Sequence, residues 1–286
     1  MAEHAGPEAT ASAAEIDRTV PETVAPVAPD ATSSPEPMDG PTATVPRDAA
    51  NWAAKVDRLQ VGHRDGVRGT NVAGRRLAGP VQGFGKMWQK TYRMDVGASV
   101  EPTGAIALWR EHFPEFWPTG NKFAAPLTGI RPGEVALLDL AVGGGVKLST
   151  GVLVLYADAE SFTLMTPQGH MFAGWITFSA ERSGDTTFVQ AQALFRANDP
   201  VFELGLALGG SRREDRFWIA TLQALGRRLG LDAPAVTVHA SCVDTGRQWR
   251  NAGNVWHNSM IRSVLQTVAD PTGRRSRRAG KNVTAG

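Results

Sequence analysis

Three residues of this 286-residue chain have side chains and surroundings that could support acid–base chemistry. His170 follows a turn in TPQGHMF, where an imidazole could accept or donate a proton; a loop histidine bonded to water or backbone would occupy the same position. Asp139 stands between leucines in ALLDLAV, so its carboxylate is either a buried site residue or lies on the outward face of a strand. Tyr156, at the end of an apolar run, is the third candidate acid or base.

Two glutamines are candidates for orienting a ligand. Gln190 and Gln192 share a strand face with Phe188 and Leu194, because alternate residues of a strand point the same way. If that face lines a lumen, the two amides could hold a carbonyl or hydroxyl group of a ligand. If the face is external, the glutamines are solvated, and the sequence leaves both possibilities open.

Residue spacing disfavours several other kinds of site. In AVGGGVKLSTG (141–151), Val146 separates the glycines from Lys147 and a strand follows, so a glycine-rich hairpin is favoured over a phosphate-binding loop. His239 and Cys242 lack a second pair of ligands, and Cys242 is the single cysteine. No serine lies in a Gly-x-Ser-x-Gly elbow. We therefore predict no metal, no disulfide within the chain and no cofactor.

Short apolar strands must position the candidate residues. Each is rich in Val, Phe, Leu and Thr and ends at a turn sequence, and the gaps are too short for crossover helices. Neighbouring strands are therefore predicted to pair antiparallel. The predicted strands are 135–142, 148–156, 161–166, 172–180 and 186–195.

A long amphipathic helix is predicted directly after the strands. Its apolar stripe consists of Trp218, Leu222, Leu225 and Leu229, at steps of four, three and four residues. Ser211 is predicted to cap the helix, with Glu214 three residues later completing a capping box.

Elements on either side of this unit are also predicted. Residues 83–96 form a first strand, in which Lys90 shares a face with Trp88, Tyr92 and Met94. A helix within 101–118 follows and is bent or ended by Pro114. Beyond Gly230, a strand at 235–244 and a helix at 254–270 are predicted. The helix stripe contains Trp256, Met260, Val264 and Val268, beside Ile261 and Leu265.

Composition divides the chain into five segments. Residues 1–50 hold eight prolines and nine acidic residues but no aromatic residue, so they are predicted to be a disordered acidic leader. Residues 51–82 are a polar lead-in, 83–230 the main domain, 231–270 an extension packed on that domain, and 271–286 a basic flexible tail. The folded part is not strongly basic, so no specific nucleic-acid binding is predicted. No signal peptide or membrane span is recognisable, and the cytoplasm is the expected location.

The order strand, helix, antiparallel strands, long helix resembles the helix-grip fold of the START/Bet v 1-like (SRPBCC, polyketide cyclase-like) superfamily. The resemblance covers roughly residues 83–230. It is carried by GFGKMWQKTYRMDV, IALWREHFPEFW, FTLMTPQGHMFAGWITFSAE, TFVQAQALFRANDP and RREDRFWIATLQALGRRLG, which are also similar to uncharacterised actinobacterial members. It implies an α+β fold in which a curved antiparallel sheet of six to seven strands wraps around the long C-terminal helix.

The resemblance also implies a hydrophobic cavity between the sheet and the long helix. The expected function is binding of a lipid, sterol-like or polyketide-like molecule without catalysis. Two alternatives stay open: a cyclase or hydrolase acting on such a molecule, and a protein-interaction module with a filled cavity whose termini bind a partner. The extension could cover the cavity mouth or form a homodimer contact. The residues expected near a ligand, besides the two glutamines, are the large ones: Trp88, Tyr92, Trp109, Trp117, Tyr156, Met165, Trp175, Trp218 and Leu222.

Overall fold

The computed structural model describes residues 48–61, 69–143 and 146–269 of the chain. All of these belong to the unit that spans residues 47–286. The predictions for the acidic leader up to residue 47, for the basic tail and for the glycine pair at the tip of the hairpin, residues 144 and 145, lie outside the described residues.

Eight strands form one antiparallel sheet in the order β2-β3-β4-β5-β6-β7-β1-β8. The sequence predicts α+β architecture and antiparallel pairing, and the structure has both. The predicted number of six to seven strands is wrong, because the short β2 pairs with β3 and the strand of the extension, β8, pairs directly with β1. The strands are β1 Met87–Gly97, β2 Lys122–Ala124, β3 Val135–Gly143, β4 Val146–Ala157, β5 Ser161–Met165, β6 Phe172–Ser183, β7 Thr186–Ala197 and β8 Thr237–Asp244.

The first two α-helices begin at the residues that favour a helix N-terminus. Helix α1, Pro102–Glu111, begins with Pro102 in its first turn, where the missing N–H costs nothing. It ends before Pro114, and one 3-10 turn, Phe113–Phe116, follows. Helix α2, Pro200–Gly205, is capped by Asp199, whose Oδ1 accepts the backbone N–H groups of Val201 at 2.9 Å and Phe202 at 3.0 Å.

The long helix α3, Ser211–Arg228, does not begin as predicted. A π-helical turn, Leu206–Gly210, joins α2 to α3, so Gly210 is already helical and Ser211 is not a capping residue. Helical geometry breaks within the π-turn at Gly209, whose φ of 112° suits a residue without Cβ. The predicted capping box is therefore wrong, which leaves the side chains of Ser211 and Glu214 free for other partners.

The C-terminal helix is shorter than predicted. Residues Trp249–His257 form 3-10 turns, and α4 is Ser259–Ala269. Trp256 is 82% exposed and lies before the helix, so it does not belong to a buried stripe. The fully buried residues described in α4 are serines, and Ser263 Oγ accepts a hydrogen bond from Asn71 Nδ2 at 3.0 Å, while Met260 is partly buried.

The main core lies between one face of the sheet and helices α1 and α3. Its centre is a cluster of aromatic rings that pack face to face or edge to face. Phe178 stacks on Phe162 at 4.7 Å between ring centroids, and the rings of Trp109 and Phe113 meet Phe178 edge-on at 5.1 and 5.0 Å. Along α3 the predicted stripe is present, with Leu222 and Leu225 fully buried. A smaller cluster covers the other face of the sheet, where Leu59 and Val72 of the lead-in segment pack against β3 and β4.

Candidate functional site

A cavity of about 300 Å³ lies between the sheet and the segment from α2 to α3. It adjoins the aromatic cluster, because Trp117 and Trp218 line it and also make ring contacts with Phe113 and Phe178 of the cluster. Most lining side chains are apolar, and they come from β2 to β7 and the connections beside these strands, from the α2–α3 segment and from α4 through Met260. The principal apolar members are Trp117, Phe123, Leu138, Leu140, Val142, Val152, Leu164, Met171, Phe172, Trp175, Ile176, Ala193, Phe195, Phe202, Leu206, Phe217, Trp218 and Met260.

Five polar side chains also line the cavity: Asn121, Thr166, His170, Arg213 and Glu214. Three of them are held by backbone groups. Asn121 Oδ1 accepts the N–H of Ala141 at 3.0 Å, Thr166 Oγ1 donates to a backbone carbonyl, and the Arg213 guanidinium donates to the carbonyl oxygen of Val142. The last bond joins α3 to the end of β3 beside the cavity.

Glu214 belongs to a buried ion cluster at the start of α3. Lys90 Nζ, on a lysine only 3% exposed, lies 2.9 Å from Glu214 Oε2 and 2.8 Å from Asp215 Oδ1, and it donates to Ser211 Oγ at 2.9 Å. The hydroxyl of Tyr92 donates to Asp215 Oδ1 at 2.7 Å. These bonds fix the first turn of α3 to β1, and they leave two carboxylates beside one ammonium group.

Burial sets the ionisation of this cluster. It raises the pKa of Glu214 to about 7, because the desolvation of the carboxylate outweighs the attraction of Lys90. Burial opposes the charge on Lys90, but the neighbouring carboxylates outweigh it and hold the pKa of Lys90 above its ordinary value. The pKa of Tyr92 is raised by burial and by the negative charges of Glu214 and Asp215. Near neutral pH, Lys90 is charged and Glu214 is close to half ionised.

His170 is held by its own loop. Its Nδ1 accepts the backbone N–H of Phe172 at 3.0 Å, so the ring proton of the neutral form lies on Nε2. The side chain is 6% exposed, and burial lowers the pKa of His170 to about 4. The preceding Gly169 has φ 92°, and a Cβ there would overlap the carbonyl oxygen of His257. The close approach of these two loops therefore requires glycine.

Four of the residues singled out from the sequence line this cavity: His170, Trp117, Trp175 and Trp218. The others lie elsewhere. Trp109 and Leu222 are fully buried in the aromatic core, and Tyr92 is fully buried in the ion cluster. Trp88 and Met165 are half-buried on their strands and do not line the cavity.

The remaining polar candidates point away from the cavity. In β7 the odd-numbered residues are buried and Ala193 lines the cavity, so Gln190 and Gln192 lie on the opposite face, where they bond to Ser179 and Thr91. Asp139 alternates with the lining residues of β3 and accepts a bond from Ser149 Oγ at 2.6 Å.

Tyr156 also lies outside the lining. Its ring packs against Trp52 at 4.8 Å, and its hydroxyl donates to Asp158.

The sequence interpretation missed Glu214 and Lys90 as members of a site. One signal was present: a lysine among Trp88, Tyr92 and Met94 on the inward face of a strand must find a buried acid, and Glu214 and Asp215 are adjacent acids at the start of the next long helix. The capping-box interpretation assigned Glu214 to the backbone and so concealed this partner.

Among residues 48–61, 69–143 and 146–269, no group of three or more His, Cys, Asp or Glu side chains is arranged to hold a metal ion. Within the same ranges, no helix combines the length and apolar character needed to cross a bilayer.

No family model and no curated protein matches this chain. Similar solved structures include the di-domain ARO/CYC StfQ from the steffimycin biosynthetic pathway, with 10% identity and a TM-score of 0.39, covering 51% of this chain and 53% of StfQ. This chain thus matches about half the length of that protein. A START superfamily protein from Mycobacterium smegmatis has 24% identity and a TM-score of 0.34, covering 51% of this chain and 97% of its own. Ara h 8.0201 has 11% identity and a TM-score of 0.33, covering 49% of this chain and 97% of its own. The function proposed below therefore rests on the cavity itself.

Proposed function

We propose that the protein binds a hydrophobic small molecule in the cavity between the sheet and α3. The observation that carries the proposal is the space itself: about 300 Å³ with a mostly apolar lining, beside a core packed with interlocking aromatic rings. Ligand pockets have volumes from roughly 300 Å³ upwards, with apolar walls and a few polar groups that orient the ligand. Protein interiors are normally close-packed, as the aromatic core is here, so an unfilled space of this size favours a role in ligand binding.

The test begins with native mass spectrometry of the full chain, followed by organic extraction and identification of any molecule released. An apolar molecule at stoichiometric occupancy supports the proposal and identifies the class of ligand. An empty protein is then screened against lipids and aromatic compounds, where a ligand that binds the folded state raises the melting temperature. Failure of the whole panel to shift the melting temperature would count against the proposal.

A matched pair of variants connects binding to this cavity. Ala193 lines the cavity from β7, so Ala193→Phe places a ring inside it. Ala240 is exposed on β8, so Ala240→Phe makes the same change on the surface. We expect Ala193→Phe to weaken binding at least roughly tenfold and Ala240→Phe to leave it unchanged. Equal binding by both variants would place the ligand elsewhere.

A cyclase or hydrolase acting on the same class of molecule is the second candidate, favoured by the position of His170 in the cavity wall. Its neutral imidazole could assist proton transfer at a bound ligand. His170→Asn keeps an acceptor for the N–H of Phe172 and removes the Nε2 proton, so it should abolish turnover of a bound substrate while binding persists. Unchanged turnover would remove His170 from the chemistry. The third function considered, an interaction module acting through its termini, depends on segments outside the described residues and stays a prediction.

A further inference from the structure

A glutamate and a histidine of the cavity wall each keep one hydrogen-bonding atom without a protein partner among the described residues. Glu214, whose side chain is 7% exposed, has Lys90 on Oε2, and no described group donates to Oε1. His170 uses Nδ1 for the N–H of Phe172, and Nε2 has no described acceptor. Neither atom is fully enclosed by protein. Both residues line the cavity, so these atoms are candidates for contact with a molecule bound there.

Oε1 of Glu214 is the side-chain acceptor of the described lining that is left without a donor. Besides His170 Nε2–H, the unpartnered donors of the described lining include the indole N–H groups of Trp175 and Trp218 and the remaining N–H groups of Arg213. Asn121 and Thr166 are occupied by backbone groups, and Arg213 donates to the carbonyl of Val142. Trp117 Nε1 is unpartnered but enclosed. A mostly apolar cavity with one unfilled acceptor and several unfilled donors selects a ligand that offers a donor and an acceptor of its own, because an unmatched polar atom is costly to desolvate.

We propose that the cavity selects apolar molecules bearing a hydroxyl group, an alcohol or a phenol, which donates its hydrogen to Oε1 of Glu214, while the Nε2–H of His170 donates to a ligand oxygen. This inference rests on the function proposed above and specifies the ligand that the site accepts. It assigns Glu214 and His170 as the residues that determine specificity.

The charges around Glu214 disfavour the main alternatives to a hydroxyl. An ammonium group would also donate to Oε1, but Lys90 already lies 2.9 Å from the other oxygen of the same carboxylate and would repel a second cation. A carboxylate ligand would be attracted by Arg213 and Lys90 but repelled by Glu214 and Asp215, whose two negative charges offset those two positive ones. A neutral hydroxyl meets neither penalty and loses the least hydration on entering an apolar cavity.

The preference of the cavity for a hydroxyl-bearing ligand should depend on pH, because protonation of Glu214 removes the charged acceptor. The titratable and charged groups around Glu214 are Lys90 and Tyr92 on β1 and Arg213 and Asp215 on α3, and His170 lines the same cavity. Burial raises the pKa of Glu214 to about 7, so its carboxylate is an acceptor at pH 8 and a protonated acid at pH 5.5. His170, whose pKa burial lowers to about 4, stays neutral across this range.

Three probes of one shape test the proposal with the full chain: 2-naphthol, which donates and accepts a hydrogen bond, 2-methoxynaphthalene, which only accepts, and 2-methylnaphthalene, which does neither. Dissociation constants are measured calorimetrically at pH 8 and pH 5.5. At pH 8 we expect 2-naphthol to bind roughly tenfold more tightly than either of the others, as expected for a hydrogen bond to a charged acceptor. At pH 5.5 its advantage over 2-methoxynaphthalene should largely disappear.

Glu214→Gln provides the second arm. Its amide oxygen can still accept from Lys90, which leaves the amide N–H₂ as a donor toward the cavity. The preference should then shift from 2-naphthol toward 2-methoxynaphthalene, while the affinity for 2-methylnaphthalene stays within about twofold. His170→Asn should weaken both oxygen-containing probes and leave 2-methylnaphthalene unchanged.

The outcomes separate the two proposals. If the three probes bind wild-type protein equally at both pH values, the cavity binds apolar molecules and the assignment of a hydroxyl subsite is overturned. If none of them binds, both that assignment and the proposed function are overturned for ligands of this size. Because the pH comparison uses unmodified protein, the result does not depend on whether a variant folds.

Discussion

Lys90 Nζ lies 2.9 Å from Glu214 Oε2, and the two side chains are only 3% and 7% exposed. The contact joins β1, which lies next to the edge strand β8, to the first turn of the long helix, beside the cavity. A buried ion pair of this kind adds little net stability compared with apolar packing, but breaking it leaves an uncompensated charge. Its position explains how a carboxylate can remain in a mostly apolar wall.

Replacement of Lys90 by methionine should therefore be strongly destabilising. Lys90→Met leaves Glu214 and Asp215 without their shared cation, and we expect a loss of about 3–5 kcal/mol in the free energy of unfolding at pH 8. The loss should be smaller at pH 5.5, where Glu214 is protonated. Urea unfolding at both pH values measures it. Arg93, on the same strand as Lys90, forms a more exposed ion pair with Glu181. Arg93→Met is therefore the control and should cost about 1 kcal/mol or less.

Glu214 should make the protein less stable as pH rises from about 4.5 to 7. Its pKa is about 7 in the folded chain and 4.5 ordinarily, so the folded state retains a proton that the unfolded state releases in this window. The effect is on the order of 3 kcal/mol and should be absent from Glu214→Gln. Glu160, exposed at a turn, supplies the control variant Glu160→Gln. A wild-type slope that survives in Glu214→Gln would show that another group is responsible.

His170 should act in the opposite direction. Its pKa is about 4 in the folded chain and 6.5 ordinarily, so the unfolded state binds more protons between these values. The contribution to stability is present above pH 6.5 and is lost as pH falls toward 4. In His170→Asn, the free energy of unfolding should therefore fall less between pH 6.5 and 4.5 than in wild type. The control variant is His239→Asn, on exposed β8, which should behave as wild type. If His170→Asn loses stability between pH 6.5 and 4.5 as steeply as wild type does, the burial of His170 is not the cause of that loss.

Gly169 should tolerate no side chain. Gly169→Ala combines a positive φ with a Cβ that would overlap the carbonyl oxygen of His257, so we expect a loss of at least about 2 kcal/mol. At Gly129, φ is 81° but no atom lies within 4 Å of the position that a Cβ would take, so Gly129→Ala isolates the backbone strain at about 1 kcal/mol. Thermal unfolding of both variants compares the two. Equal losses would mean that the loop beside His170 moves freely to accommodate a methyl group.

Local patterns in the sequence predicted most of the fold. The alternation of apolar residues and the turn residues between them located β3 to β7 to within a few residues, and the stripe through Leu222 and Leu225 identified the buried side of α3. These features depend on neighbours within a few positions. The pairing of β8 with β1 does not, since it joins segments far apart in the chain whose local patterns carry no sign of each other.

The candidate site was harder to predict for the same reason. Periodicity says which residues share a face but not whether that face meets a cavity, a solid core or solvent. Gln190 and Gln192 do share a face, and it is the one opposite the cavity. Trp109 is as large and apolar as Trp117, yet only Trp117 borders the open space, because the rings of Phe162 and Phe178 fill the region around Trp109.

The position of β1 in the sheet sets an order of events during synthesis. β1 is the first strand of the sheet to be made, but both of its neighbours, β7 and β8, are made after all the other strands. Until residue 244 has left the ribosome, the nascent chain carries β1 with at least one unpaired edge, and unpaired edges attract other chains. The growing chain thus has its greatest need of chaperone protection in the interval between synthesis of β1 and synthesis of β8.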